Sequence, residues 1–362
     1  MAEKLYQKIY GDLLDGIESG SYPAGSRLPT EHALMAQYGV SRVTAIKALN
    51  LLRENGYIER RPKVGSVVRS FSPAAGSLGN IHFLTVGSNN SIPGLYEAIC
   101  DEAALLGMGV VMYNSHHSGE AEREHLRAIR ERKVPGVICY PLNAEMESVS
   151  EYAELVRAGI PLVSVDKRIR CPGAVIPCVT TDNRKAMYEL TSWLIETMGH
   201  RRIAYCCALL SQANARYRQR GYTDALITHG LAFDAALVDA LECRVMPYRA
   251  NRMEYELFLS HLVNLPDPPT AIVCECDYVA FQVMRSARTL GIAIPETLSV
   301  AGFDNVDMSD MLDVPLTTMK QDFGRIGRAA VRQLYALMNG GAAEPLTLFD
   351  AELVIRASVN RK

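Results

Sequence analysis

The chain of 362 residues exceeds the roughly 250–300 residues at which a single hydrophobic core stops growing, so more than one folding unit is expected. With 48% hydrophobic and 22% charged residues it has the balance of a soluble globular protein, which excludes a disordered or fibrous chain. The net charge of -2 hides an asymmetry: residues 1–70 hold ten Lys and Arg against seven acids, and the remainder is acidic. A basic head on an acidic body suits a head that meets a polyanion.

The opening MAEKLYQKIYGDLL interleaves charges with apolar residues and is no secretory signal. No window offers the roughly 20 apolar residues of a membrane span, so a cytoplasmic protein without a membrane partner is expected. Nine cysteines at irregular spacing read as buried free thiols, and Cys206-Cys207 and Cys274/Cys276 lack the paired C-x-x-C spacing of zinc ligands, so no metal is expected.

In chain order, Leu5, Ile9, Leu13 and Ile17 recur at helical spacing until Gly20 and Pro23 stop the helix. Thr30 then N-caps a second helix bearing Ala33, Leu34 and Tyr38, which Gly39 ends. Ser41 caps a third helix over residues 42–54, with Ala45, Ala48, Leu49 and Leu52 inward and Arg42, Val43, Ile46, Lys47 and Asn50 opposite. Two helices joined by a short glycine-containing turn form a helix-turn-helix, whose second helix enters the major groove. Residues 56–61 and 66–68 read as two strands around Pro62-Lys63-Val64-Gly65, a basic wing from which Lys63 reaches a phosphate or the minor groove. An ordinary three-helix bundle with solvated charges is the alternative from pattern alone.

The segment LPTEHALMAQYGVSRVTAIKALNLLRENGYIERR resembles the GntR-family winged helix almost position for position. The resemblance implies DNA contacts from Ser41, Arg42, Thr44, Lys47, Arg60, Arg61 and Lys63. His32 and Ile46 stand where the family usually carries Arg, and the wing lacks its Gly-Lys-Gly run.

Residues 71–80, FSPAAGSLGN, read as a linker. Beyond them strands and helices alternate, with strands expected at 81–86, 110–113, 136–140, 161–165, 203–207, 271–274 and 299–303. Such βαβ alternation predicts parallel sheets covered by helices, too many strands for one sheet, and hence two lobes. Ligands in such folds sit beyond the carboxyl ends of strands, which singles out Asp166-Lys167, Asp277 and Asp304, with Arg218 beside them. Carboxylates and guanidinium groups in a cleft suit polyhydroxyl ligands, although Asp182 and Asp277 read equally as helix caps.

The segments PLVSVDKR, ARYRQRGYTDAL, AIVCECDYVAFQVMRSARTLGIAIPETLSVAGFDN and PLTTMKQDFGRIGRAAVRQL, among others from about residue 80 to 358, resemble the LacI/GalR effector domain, itself similar to periplasmic sugar-binding proteins. By that resemblance the effector contacts are Asp166, Lys167, Arg218, Asp304, Gln321 and Phe323, with Cys276-Asp277 at the usual Asn-Asp pair, Tyr248 as an aromatic wall, and Asn89 and Asn90 on a first-lobe loop. Losing the amide at Cys276 removes a donor and an acceptor, which points to altered ligand specificity.

The expected fold is therefore multi-domain: a small α+β winged helix-turn-helix over residues 1–70, then a two-lobed α/β periplasmic-binding-protein-like domain of type I over residues 81–362. The first lobe is expected at about 81–178 and 308–340, the second at about 179–307 and 341–362, with hinge crossings near 176–180, 305–316 and 340. A GntR-like head on a LacI/GalR-like body resembles the AraR-type repressor architecture. That resemblance implies a homodimer on a palindromic operator, released or retained through a small-molecule effector, with a sugar favoured and a purine or other metabolite as alternative. A pyridoxal-phosphate enzyme with a GntR head would need a longer body and a Schiff-base lysine, so no cofactor and no catalysis are expected. A transport component would need a signal peptide and would not need the basic head.

Overall fold

The structure, a computed structural model, describes residues 2–18, 21–23, 25–54, 57–61, 64–68, 79–87, 91–142, 148–207, 213–240 and 252–362. It divides into two compact units, an N-terminal head and a larger body that holds both main sheets.

In the head, α1 (Ala2–Glu18), α2 (Glu31–Tyr38) and α3 (Arg42–Glu54) precede the antiparallel hairpin β1 (Ile58–Arg61) and β2 (Gly65–Val68). Thr30 caps α2 by accepting from the Ala33 amide at 3.2 Å, and Gly39 ends it at φ 63°, a left-handed conformation that Gly adopts without steric penalty. The Ser41 hydroxyl accepts from the Thr44 amide at 3.3 Å and opens α3. Ile9, Leu13, Leu34, Ala45, Ala48, Leu49 and Leu52 close into one core with Tyr57, Ile58 and Val68 from the hairpin. Each buried Leu or Ile contributes on the order of 1.5–3 kcal/mol, so the inward stripe of α3 anchors the head and leaves Arg42 and Val43 outside.

The body's first sheet has the order β13-β7-β6-β5-β3-β4, all parallel, built from β3 (Asn80–Thr85), β4 (Gly109–Asn114), β5 (Val137–Cys139), β6 (Leu162–Val165), β7 (Cys178–Thr181) and β13 (Leu346–Phe349). The second has the order β14-β12-β11-β10-β8-β9, from β8 (Ile203–Cys207), β9 (Val238–Ala240), β10 (Ala271–Cys274), β11 (Ser299–Asp304), β12 (Thr317–Lys320) and β14 (Glu352–Val354). It is parallel except for the β12–β14 edge. The central strands are apolar and buried throughout, as strands covered on both faces must be. Their covers are α4 (Ser91–Leu105), α5 (Gly119–Glu131), α6 (Val149–Arg157) and α12 (Phe323–Met338) for the first sheet. The second is covered by α7 (Asn183–Glu196), α8 (Ala213–Thr228), α9 (Arg252–Val263) and α10 (Asp277–Leu290), with the short α11 (Met308–Met311) before β12.

The strand order corrects the expected lobe allocation. Residues 308–320 stay with the second sheet, because β12 pairs with β11, and β13, expected in the second lobe, pairs with β7 of the first. The chain therefore crosses after β7, between β12 and α12, and between β13 and β14.

Candidate functional site

In the body the candidate site lies beyond the carboxyl ends of β5, β6, β10, β11 and β12. Asp166, at φ 65°, follows β6, and Asp304, at φ 113°, ends β11 with the left-handed Asn305 after it. Residues other than Gly reach such angles only where the surroundings over-determine them. Arg218, 6% exposed, projects from α8 and is held on every nitrogen: Nε donates to Asn183 Oδ1 at 2.7 Å, Nη1 to the Glu275 carbonyl at 2.7 Å, and Nη2 lies 3.2 Å from Asp304 Oδ1. Its guanidinium stacks 3.8 Å above the Phe303 ring. Gln321 Nε2 donates to the same Asp304 oxygen at 2.7 Å.

The electrostatics follow from burial. Desolvation pushes the Asp304 carboxyl up to about 7, with Asp277 and Asp166 adding to the shift and Arg218 and Gln321 opposing it. For Arg218, burial disfavours the cation, yet Asp304, Asp166, Cys276 and Glu275 outweigh it and raise its pKa. Burial lowers the Lys167 ammonium, partly offset by Asp166 and Glu122. Burial raises the Cys276 thiol, and the neighbouring Glu275 and Asp304 raise it further.

Asp166, Lys167, Arg218, Cys276, Asp304 and Gln321, expected as effector contacts, thus converge electrostatically across the two lobes. Lys167 is already engaged: Nζ donates to the Leu142 carbonyl at 3.0 Å and lies 5.2 Å over the Tyr140 ring. Phe323 is the buried first residue of α12, two places after Gln321.

Asp277 departs from the expectation. Its fully buried carboxylate accepts from the Val306 amide at 3.0 Å, Ser309 Oγ at 2.6 Å and Thr318 Oγ1 at 2.5 Å. A Cβ added to Gly302 would collide with it, so it ties α10 to the β11–β12 connection, with both carboxylate oxygens engaged by the protein itself. Asp182 caps α7, accepting from the Lys185 amide. Asn89, Asn90 and Tyr248 lie outside the described residues.

Sequence reasoning passed over four residues of the site. Asn183 orients Arg218, and Glu275 supplies a backbone acceptor while its side chain accepts from Cys207 Sγ at 2.8 Å. Tyr140 has its hydroxyl pushed up by burial and further by the charges of Asp166 and Asp304, and Phe303 floors Arg218. Of these only Glu275 carried a signal, as a charged residue directly after a buried strand.

In the head, Arg42 is largely exposed, and Glu31 holds it together with Arg60. Arg42 Nε lies 3.0 Å from Glu31 Oε2, and Arg60 Nη2 3.1 Å from Glu31 Oε1. Ser41 and Thr44 hydroxyls share a bond of 2.9 Å at the start of α3, and Lys47 sits 4.1 Å over the Tyr6 ring. Val43, not among the expected contacts, is 75% exposed on the same face, a methyl group of the kind that meets thymine. Arg61 pairs in register with Gly65, its side chain outside the described set, and Lys63 lies outside the described residues.

Comparison with known proteins matches these two parts separately. Residues 5–68 match the family of bacterial regulatory proteins of gntR type, and residues 195–359 a periplasmic binding protein-like domain. The HTH-type transcriptional repressor CytR of Escherichia coli is 29% identical over 261 residues, covering 71% of this chain and 72% of that one. The arabinose metabolism transcriptional repressor of Geobacillus stearothermophilus is 24% identical over 369 residues, covering 98% of this chain and 97% of its own. Among solved structures, a LacI family transcriptional regulator from Mycobacterium smegmatis superposes with a TM-score of 0.65 at 25% identity, covering 78% of this chain and 99% of that one. The transcriptional regulator CelR in complex with cellobiose gives 0.68 at 22%, covering 91% and 100%. Among the described residues no helix is long and apolar enough to cross a membrane. The chain belongs with the transcriptional regulators, joining a GntR-family DNA-binding head to a LacI-like, periplasmic-binding-protein-like effector domain.

Proposed function

We propose that the protein is a sugar-responsive repressor: the head, residues 1–70, holds a palindromic operator as a homodimer, the segment 71–80 links it to the body, and an effector bound between the lobes changes operator affinity. The observation that carries the sugar reading is the Asp166, Arg218, Asp304 constellation. Two carboxyl groups flank one guanidinium at the meeting of the lobes, a pattern in which each hydroxyl of a sugar donates to an acid while accepting from the arginine. Relatives point the same way, since one is named for arabinose metabolism and a structural neighbour was solved with cellobiose.

An effector that binds one arrangement of the lobes more tightly draws the protein toward it by no more than that difference in affinity. On the head, Arg42, Val43 and Lys47 lie exposed on α3 with the half-buried Thr44 beside them, the face that enters the major groove in this reading, and Arg60, Arg61 and Lys63 are its phosphate contacts. The homodimer reading rests on apolar surface that a monomer would leave wet. Leu257 on α9 is 65% exposed and Met311 on α11 80% exposed, and a separate cavity of 480 Å³ is lined by Phe281, Met284, Ile292 and Leu312 with Arg285, Arg288 and Asp313 among them. A two-fold pair covers such a face with its own copy, and two-fold protein symmetry is mirrored in a palindromic site. In this reading the protein works in the cytoplasm, catalyses no reaction and needs no cofactor. A purine or other non-sugar metabolite is the second reading, favoured by the Cys276 thiol in the cleft.

The test selects bound fragments from genomic DNA, then follows release of the best fragment by fluorescence anisotropy against pentoses, hexoses, disaccharides and purines. The reading predicts a palindromic fragment and at least a tenfold change in affinity with one sugar. Selection without a common site, or a response to purines alone, contradicts it.

A further inference from the structure

The chain ahead of α2 runs antiparallel beside β2. The Gly25 amide donates to the Val68 carbonyl at 2.9 Å, the Val68 amide to the Ser26 carbonyl at 2.9 Å and the Leu28 amide to the Ser66 carbonyl at 3.0 Å, with Arg27 bridged to Val67 between them. Side chains alternate across such an extended pairing. Leu28, 4% exposed, turns into the core of the head, and Arg27 turns out to solvent on a backbone that these bonds hold in place.

Arg27 lines a groove of 1120 Å³ between α2 and the hairpin, shared with Glu31, Arg42, Arg60 and Ser66. Three guanidinium groups thus face a single carboxylate among the described residues of the lining. That carboxylate is taken, since Glu31 Oε2 holds Arg42 at 3.0 Å and Oε1 holds Arg60 at 3.1 Å. Arg27 has no acid paired with it among the described residues. An unneutralised cation on a concave wall focuses positive potential into the groove, and a guanidinium matches the two oxygens of a phosphate.

The groove opens between the start of α3, which faces the major groove, and the hairpin that forms the wing. In a duplex docked this way, what lies between those two elements is the sugar-phosphate backbone. Arg27 stands on the hairpin side and not on the helix that meets base edges, so its contact carries affinity without sequence information.

We infer that Arg27 is a DNA contact in its own right, gripping a backbone phosphate of the strand that passes through the groove between α2 and the hairpin. The inference rests on reading the head as the part that holds DNA.

The test is an anisotropy titration of the full-length wild type, Arg27→Gln and Arg27→Lys over a salt series, on a short duplex of random sequence and on the fragment selected from genomic DNA. One phosphate contact contributes a slope of about 0.9 in log affinity against log salt, so the advantage of the wild type over Arg27→Gln is expected to shrink about 3.5-fold between roughly 50 and 200 mM salt. The loss is expected to be equal on the two duplexes, and Arg27→Lys to keep the wild-type slope. A melting curve checks the fold of Arg27→Gln, with Arg27→Ala serving in its place if it melts early. An unchanged slope on both duplexes overturns the inference alone. So does a loss confined to the selected fragment, which would make Arg27 a reader of bases. A wild type that binds neither duplex overturns the reading of the head, and the inference with it.

Discussion

Arg356 Nη2 donates to Asn305 Oδ1 at 2.8 Å, tying the segment after β14 to the residue that follows Asp304 of the candidate site. The same guanidinium donates to the Leu316 carbonyl at 2.7 Å and to Asp310 Oδ1 at 3.1 Å, and the Asn305 amide donates to Thr318 Oγ1 at 3.4 Å. Asp304 and Asn305 are both left-handed, so this bracing is what keeps an unfavourable corner in place and the Asp304 carboxyl against Arg218. Arg356→Met is expected to weaken effector binding about tenfold, the equivalent of ~1.4 kcal/mol. Asn305→Gly, which keeps the backbone conformation without strain, is expected to weaken it less. Calorimetric titration with the effector checks the order; unchanged affinity in Arg356→Met sinks the idea.

In the head, Glu31 holds Arg42 of the recognition helix and Arg60 of β1 on its two oxygens. Glu31→Ala releases both cations to roam over phosphates, so discrimination between operator and random DNA is expected to fall about tenfold. Arg42→Ala is expected to weaken operator binding and flatten its salt dependence by about one counterion. Anisotropy titrations at several salt concentrations measure both, and a Glu31→Ala protein of undiminished specificity would count against the clamp.

Asp304 also sets a pH dependence. Its carboxyl titrates at about 7 in the folded chain against an ordinary 3.8, so the folded state binds the proton more tightly than the unfolded state. The stability this contributes is complete below about pH 4 and is lost as pH rises through 7. Asp277, pushed up to about 6 by burial, acts in the same direction over a shorter range. Asp304→Asn is therefore expected to flatten the fall in melting temperature between pH 5 and 8. Parallel curves for variant and wild type would refute the assignment.

Asp277 itself is expected to matter for folding. Asp277→Ala leaves the Val306 amide and the Ser309 and Thr318 hydroxyls without their buried acceptor, a loss of roughly 3–5 kcal/mol. Urea denaturation reads it directly, and a change under 1 kcal/mol would contradict the structural role.

The sequence made the alternating strands of the body legible because buried parallel strands read as short apolar runs, as at 162–165, 203–207 and 271–274. The edges were harder. β13 alternates exposed and half-buried residues and β12 begins Thr317-Thr318, so neither announces its sheet, and the lobe boundaries were misplaced around them. In the site, Asp166 and Asp304 stood out because charge beside a strand end is conspicuous, and Arg218, within α8, through the resemblance carried by ARYRQRGYTDAL. Asn183 and Phe303 did not, since their roles exist only in relation to Arg218, 35 residues from the one and stacked on the other. Asp277 misled for the same reason: its partners Ser309 and Thr318 lie 32 and 41 residues away.

The most direct test of the account compares the wild type with Arg218→Ala in operator binding, with and without the sugar that stabilises the wild type. The account predicts that both proteins bind operator, that the sugar shifts the wild type at least tenfold, and that it leaves Arg218→Ala unmoved. A normal sugar response in Arg218→Ala, or sugar binding to the wild type with no change in operator affinity, would contradict it.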